Sequence, residues 1–154
     1  MNAKSRHEVL DLEHFLPYRL SVLSNTVSQA IADSYERRFA LGITEWRVMA
    51  VLGRYDGLAA REVAERTAMD KVAVSRAVAR LIESGRVRRE VAAHDKRQSV
   101  LRLSAKGWKV YEQVAPIALD HERRLLAHLD VDEREWLGRI LDKLWHAELE
   151  EIAR

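Results

Sequence analysis

Apolar residues recur along most of this chain at spacings of three and four, the period of amphipathic helices. Leu16-Pro17 is a helix start, because proline is tolerated in a first turn where its missing N–H is not needed. From there Leu20, Leu23, Val27, Ile31, Tyr35 and Phe39 form one stripe that stops near Gly42. Residues 10–16 are either a preceding turn of that helix or a short separate one. Thr44 is placed to cap TEWRVMAVLGRY, and Gly53 with Asp56-Gly57 closes it. A short helix, AAREVAERTA, and the connector Thr67-Ala68-Met69 follow, and Asp70 caps DKVAVSRAVARLIESG. After Gly85 the period changes to two. Val87–Val91 and Ser99–Leu103 alternate as strands, separated by the polar residues 92–98, which predicts a hairpin with a basic tip. Ser104 then caps a long helix carrying Trp108, Tyr111, Val114, Ala118, Leu125 and Leu129, kinked at Pro116. Asp130-Val131-Asp132-Glu133 has capping-box spacing and opens a last helix with the wide stripe Trp136, Leu137, Ile140, Leu141, Leu144, Trp145, Leu149 and Ile152.

The helix after Asp70 has two distinct faces. Val74, Ala77, Val78, Leu81 and Ile82 form the apolar one. Opposite them stand Val72, Ser75, Arg76, Ala79 and Arg80, short side chains interleaved with arginines. A merely solvated face favours Glu/Lys pairs instead. Short helix, three-residue turn, longer helix and basic hairpin define a winged helix-turn-helix, whose second helix enters a DNA major groove. The expected fold is mainly α with a small β-hairpin wing, flanked by long N- and C-terminal helices. Arg76 is then placed for a bidentate guanine contact, Val72 and Ala73 for thymine methyls, and Lys71 and Ser75 for phosphates or base edges. Ala79 and Arg80 continue the face. On the wing, Arg97 is the candidate for the minor groove, with Lys96 and Arg88 or Arg89 on phosphates.

Charge adds to this picture. Net charge is only +2, yet residues 61–102 hold eleven Lys/Arg against six acids, while 1–60 balance and 103–154 come to −3. A basic middle between neutral and acidic ends fits a polyanion partner for the middle alone. With no cysteine, disulfides, thiolate metal sites and thiol redox sensing are excluded. No apolar run approaches the ~18 residues of a membrane span, and MNAKSRHEVLDLEH has no signal-peptide core, so a cytoplasmic location is expected. Glycine-rich phosphate loops, G-x-S-x-G and HExxH are missing, which argues against an enzyme. No cofactor is expected.

Three stretches, TEWRVMAVLGRYDGLAAREVAERTAMDKVAVSRAVARLIESGRVRRE, HDKRQSVLRLSAKG and the flanking long helices, make the chain resemble the MarR (multiple antibiotic resistance regulator) family of bacterial transcription factors. The most specific element is Asp95-Lys96-Arg97 before Leu101 and Leu103, similar to the family's D-x-R wing. The resemblance implies that Asp95 steers Arg97, which reaches DNA. It also implies a division into an N-terminal dimerisation region (1–42), a winged helix-turn-helix lobe (43–104) and C-terminal dimerisation helices (105–154). Leu137, Ile140, Leu141, Leu144, Trp145 and Leu149 would lie in the homodimer interface, and the stripe is itself wider than one chain of 154 residues readily covers. A twofold dimer would read an inverted-repeat operator with half-sites roughly 10 bp apart. Family members are commonly repressors released by small aromatic or phenolic acids. By resemblance the pocket would take His14, Tyr18 and Arg19 from the first helix and Trp46, Arg47 and Met49 opposite. Two alternatives stay open: a metal-responsive regulator of the same fold, and a nonspecific architectural or protein-binding winged helix. Against the first, His7, His14, His94, His121, His128 and His146 are scattered with no i,i+4 pair, so no metal site is assigned.

Overall fold

The computed structural model describes residues 9–92 and 98–152, with side chains to residue 147. Helices α1 (Leu16–Asp33), α2 (Glu36–Phe39), α3 (Ile43–Arg54), α4 (Ala60–Thr67) and α5 (Lys71–Glu83) precede strands β1 (Val87–Val91) and β2 (Ser99–Leu103); α6 (Ala105–Leu126) and α7 (Val131–Ile152) follow. The chain forms two compact units, one reaching to Ile117 and one beginning at Ala118. The expected fold is present: mostly helical, with a single antiparallel hairpin among the described residues.

In the first unit the core gathers on α3, which buries Val48, Met49 and Leu52, and on α5, which buries Val74, Ala77, Val78 and Leu81. Val63 and Ala64 of α4 and Val87, Leu101 and Leu103 of the hairpin complete it, with Val110 and Val114 of α6. The apolar face read for α5 is therefore the buried one. Asp70 caps α5 as expected, its Oδ1 accepting from the Ala73 N–H at 2.9 Å. The hairpin pairs Val87 with Leu103 and Val91 with Ser99, and the Leu101 N–H also donates to the Leu58 carbonyl at 2.7 Å, tying the α3–α4 connection to β2.

Two element boundaries differ from the sequence expectation. The stripe from Leu20 to Phe39 is not one helix. It breaks after Asp33, where Tyr35 leaves helical geometry (φ −126°, ψ −22°) and sinks to 1% exposure against Trp46, 6.0 Å between ring centroids. The side chain is placed by the break, so burial of a large ring outweighs continuity of the helix. Thr44 is not the cap of α3 either. Gly42 is, and its carbonyl accepts the first helical bond from the Trp46 N–H at 2.9 Å. Helix α6 runs through Pro116 as one helix.

In the second unit, Asp130 and Glu133 form the reciprocal capping box that their spacing implies: Glu133 N–H to Asp130 Oδ1 at 2.8 Å, Asp130 N–H to Glu133 Oε2 at 2.9 Å. Arg134 Nε donates to the Leu126 carbonyl at 2.8 Å and closes the α6–α7 turn. No described helix is long and apolar enough to cross a membrane.

Candidate nucleic-acid interface

Helix α4, the turn at Ala68 and α5 place one helix face outward. Lys71, Val72, Ser75, Arg76, Ala79 and Arg80 are all exposed, while Ala73 is half-buried. Val72 on this face is 56% exposed. Among the described residues Lys71 and Arg76 have no ion-pair partner, so both cations are free for an external anion. A cavity of about 590 Å³ runs between α4, α5 and β1, lined in part by Arg61, Lys71, Ser75 and Arg89. Arg61 itself is held by Glu65, Nε to Oε1 at 2.8 Å, and that carboxylate raises the guanidinium pKa further, first through the hydrogen bond and then through its charge.

Two of the arginines assigned to DNA are already engaged. Arg80 Nε donates to Glu45 Oε1 at 2.5 Å, across 35 residues of sequence. Arg88 pairs with Glu90 at 2.8 Å, and Glu90 also accepts from Arg102 at 3.1 Å; Arg102 in turn pairs with Asp56. The strand alternation separates Arg88 from Arg89: Arg88 joins this acidic knot, and Arg89 lines the cavity beside α5. The knot fixes the root of the hairpin on the α3–α4 connection. Asp95, Lys96 and Arg97 lie outside the described residues; the hairpin is described up to the Ala92 N–H, which donates to the Gln98 carbonyl at 2.8 Å.

The six residues assigned to a ligand pocket do not converge within this chain. Met49 is fully buried in the core, and Trp46 packs between Tyr35 and Tyr111, the latter at 5.7 Å. Arg47 reaches α1 but binds Ser28 Oγ at 2.9 Å. Tyr18 and Arg19 stand exposed some nine or ten residues earlier on that helix, about 15 Å away along its axis. His14 pairs with Asp11 at 2.8 Å before α1 begins. Of the interface residues on α7, Leu137, Ile140, Leu141, Leu144 and Trp145 are 38–66% exposed, and the side chain of Leu149 lies outside the described residues. No group of three or more His, Cys, Asp or Glu able to hold a metal occurs among the described residues.

Sequence reading missed Glu45. A glutamate in a first helical turn reads as ordinary compensation of the helix dipole, and nothing local points to an arginine 35 positions on. Leu16, Leu20 and Leu23, in the region expected to dimerise, are 42–53% exposed.

This architecture, a short brace helix, an outward second helix and a two-stranded wing, is a winged helix-turn-helix. Residues 41–98, from the end of α2 into the hairpin, match the model of the MarR family. The HTH-type transcriptional regulator BilQ of Clostridium symbiosum is 29% identical over 93 residues, 60% of this chain and 65% of BilQ, so the match spans slightly under two thirds of that relative. A MarR/EmrR family regulator from Acinetobacter sp. ADP1 superposes with a TM-score of 0.82 at 26% identity, over 92% of this chain and 99% of that one. MepR of S. aureus, solved as a complex with DNA, shares the fold with a TM-score of 0.76 at 21% identity, over 88% of this chain and 97% of that one. Residues 41–98 thus match the MarR family, and the fold is that of MarR-family transcriptional regulators.

Proposed function

We propose that this chain binds double-stranded DNA sequence-specifically and represses transcription from an inverted-repeat operator. The observation that carries the reading is the outward face of α5, where Val72, Ser75 and Arg76 stay exposed over a fully packed inner face. Short side chains let the helix backbone approach base edges, and Arg76 supplies a fork that matches guanine. Lys71, Arg89 and the wing residue Lys96 then hold phosphates, which fix position without reading sequence, and Arg97 reaches the minor groove. The fold shared with MepR, a protein solved on DNA, supports the same docking.

The active species is a homodimer, residues 43–104 contacting DNA and the flanking helices joining two copies. The exposed apolar residues of α1 and α7 support this, since each face is too apolar to rest against water. Two recognition helices then meet half-sites roughly 10 bp apart. A small aromatic or phenolic acid releases the operator by favouring a lobe spacing that does not match adjacent major grooves. His14, Tyr18 and Arg19 are the exposed candidates left for that ligand, since Met49 is buried in the core. The protein acts in the cytoplasm, where its operator is.

Selection of bound fragments from genomic DNA by the purified protein tests the reading. One inverted-repeat motif, retained as salt rises, is the expected result. Uniform recovery of all fragments would instead identify a nonspecific binder.

A further inference from the structure

The pair between Glu45 and Arg80 is built in a way that solvated pairs are not. Glu45 is only 9% exposed, while the Arg80 side chain is 54% exposed, so the carboxylate is fixed and the guanidinium is presented. The bond uses Nε of Arg80. That bond leaves Nη1 and Nη2, the edge suited to a second anion, on the side away from Nε. Arg80 lies one turn beyond Arg76 on α5, about 40° round the helix and about 6 Å further along it. A helix whose first turns sit among base edges carries its next turn out to the sugar–phosphate rim.

Resting on the DNA-binding reading above, we propose that Glu45 is a positioning residue for DNA recognition, its buried carboxylate holding Arg80 so that the free edge of the guanidinium meets a backbone phosphate. The alternative partner is close. Glu83 lies three residues on, on the same exposed helix surface, and lines the same cleft as Glu45, Arg80 and Arg86. An Arg80 not held by Glu45 can turn to Glu83, an i,i+3 pairing along the helix, and be lost to the phosphate. Arg86, which lines the same cleft, donates through Nη2 to the Phe39 carbonyl, and among the described residues the ion pair of Glu45 is with Arg80. Glu45 and Arg80 thus link α3, the centre of the core, to the DNA-facing side of α5 through one side-chain bond.

The test is a double-mutant cycle on operator affinity, measured on the fragment selected by the wild-type protein at several salt concentrations. Glu45→Gln should weaken binding about tenfold and lower the salt slope by about one, as expected for one lost phosphate contact. In an Arg80→Ala background the same change should cause no further loss, or a small gain, since an unpaired carboxylate near DNA has been removed. Equal losses in both backgrounds, or none in the wild type, would overturn the proposal. Arg80→Lys should bind like Glu45→Gln, because an ammonium has no second donor edge; wild-type affinity of that variant would also overturn it. Two-dimensional NMR of the arginine Nε–H groups reads the pair without DNA. A protected Arg80 signal present in the wild type and lost in Glu45→Gln is expected, and its absence from the wild type refutes the positioning. A wild-type protein with no preferred fragment would sink the DNA reading and this inference together, whereas intact wild-type binding with uncoupled variants would sink this inference alone.

Discussion

An arginine at the centre of an exposed helix face can form two parallel hydrogen bonds to one guanine edge, and Arg76 has no ion-pair partner among the described residues. Arg76→Ala is therefore expected to cost ~1–3 kcal/mol of operator binding and to relax the preference at one base position. A fragment selection repeated with the variant checks both. Tyr35 makes a different kind of prediction. Burial, reinforced by the charge of Glu36, pushes its phenol pKa up to about 12 from 10.0. The folded protein then keeps its proton where the unfolded chain has lost it, so unfolding is favoured as pH climbs. Stability from this group is complete below pH 10 and falls between 10 and 12. Denaturant titrations across that window should show a steeper decline for the wild type than for Tyr35→Phe. Equal slopes would mean that the phenol is not held in a dry site.

Among the elements, the junction between hairpin and α6 is the tightest. A Cβ on Gly107 would lie 2.0 Å from the Arg86 carbonyl oxygen, a backbone atom that cannot move without the strand. Gly107→Ala should destabilise the fold by ~1–3 kcal/mol, read as a lower Tm, from overpacking alone. Gly85 is the contrast: its nearest neighbour would be 3.9 Å away, but φ is +73°, so Gly85→Ala should cost ~1–2 kcal/mol through backbone strain. Elements of this kind were legible where their signal is local. Asp70 before an apolar stripe and the Asp130–Glu133 spacing announce helix starts because cap and capped group are three residues apart. The switch from period four to period two after Gly85 announces the hairpin. What was not legible depends on partners far along the chain. The break at Asp33 follows from where Trp46 sits, and the stripe itself gives no sign of it. Trp46 and Met49 looked like pocket walls by analogy, but the packing that puts them against Tyr35, Tyr111 and the core belongs to tertiary structure. The pairing of Glu45 with Arg80 is of the same kind.

For the whole molecule, the open apolar faces of α1 and α7 set the expectation. Leu141, 47% exposed in the middle of the α7 stripe, would lose its favourable environment if replaced by a charge inside a dimer interface. Leu141→Asp should sediment as a monomer and bind a single half-site with much reduced affinity, because two linked half-site contacts no longer act together. Unchanged sedimentation would count against the dimer proposed through this face. Two further positions bear on the molecule's overall stability. Ala40 (φ +47°) and Ala68 (φ +49°), each just past the end of a helix, adopt the left-handed conformation that glycine or asparagine occupies with less strain. Each alanine there carries about 1 kcal/mol of avoidable strain, so Ala40→Gly and Ala68→Gly should both raise Tm. Neither side chain belongs to the outward face of α5. For anyone redesigning the recognition face proposed on α5, that is a reserve of tolerance. Changes at Val72, Ser75 or Arg76 that would otherwise bring the fold too near its melting point become admissible once the two turns have been relaxed.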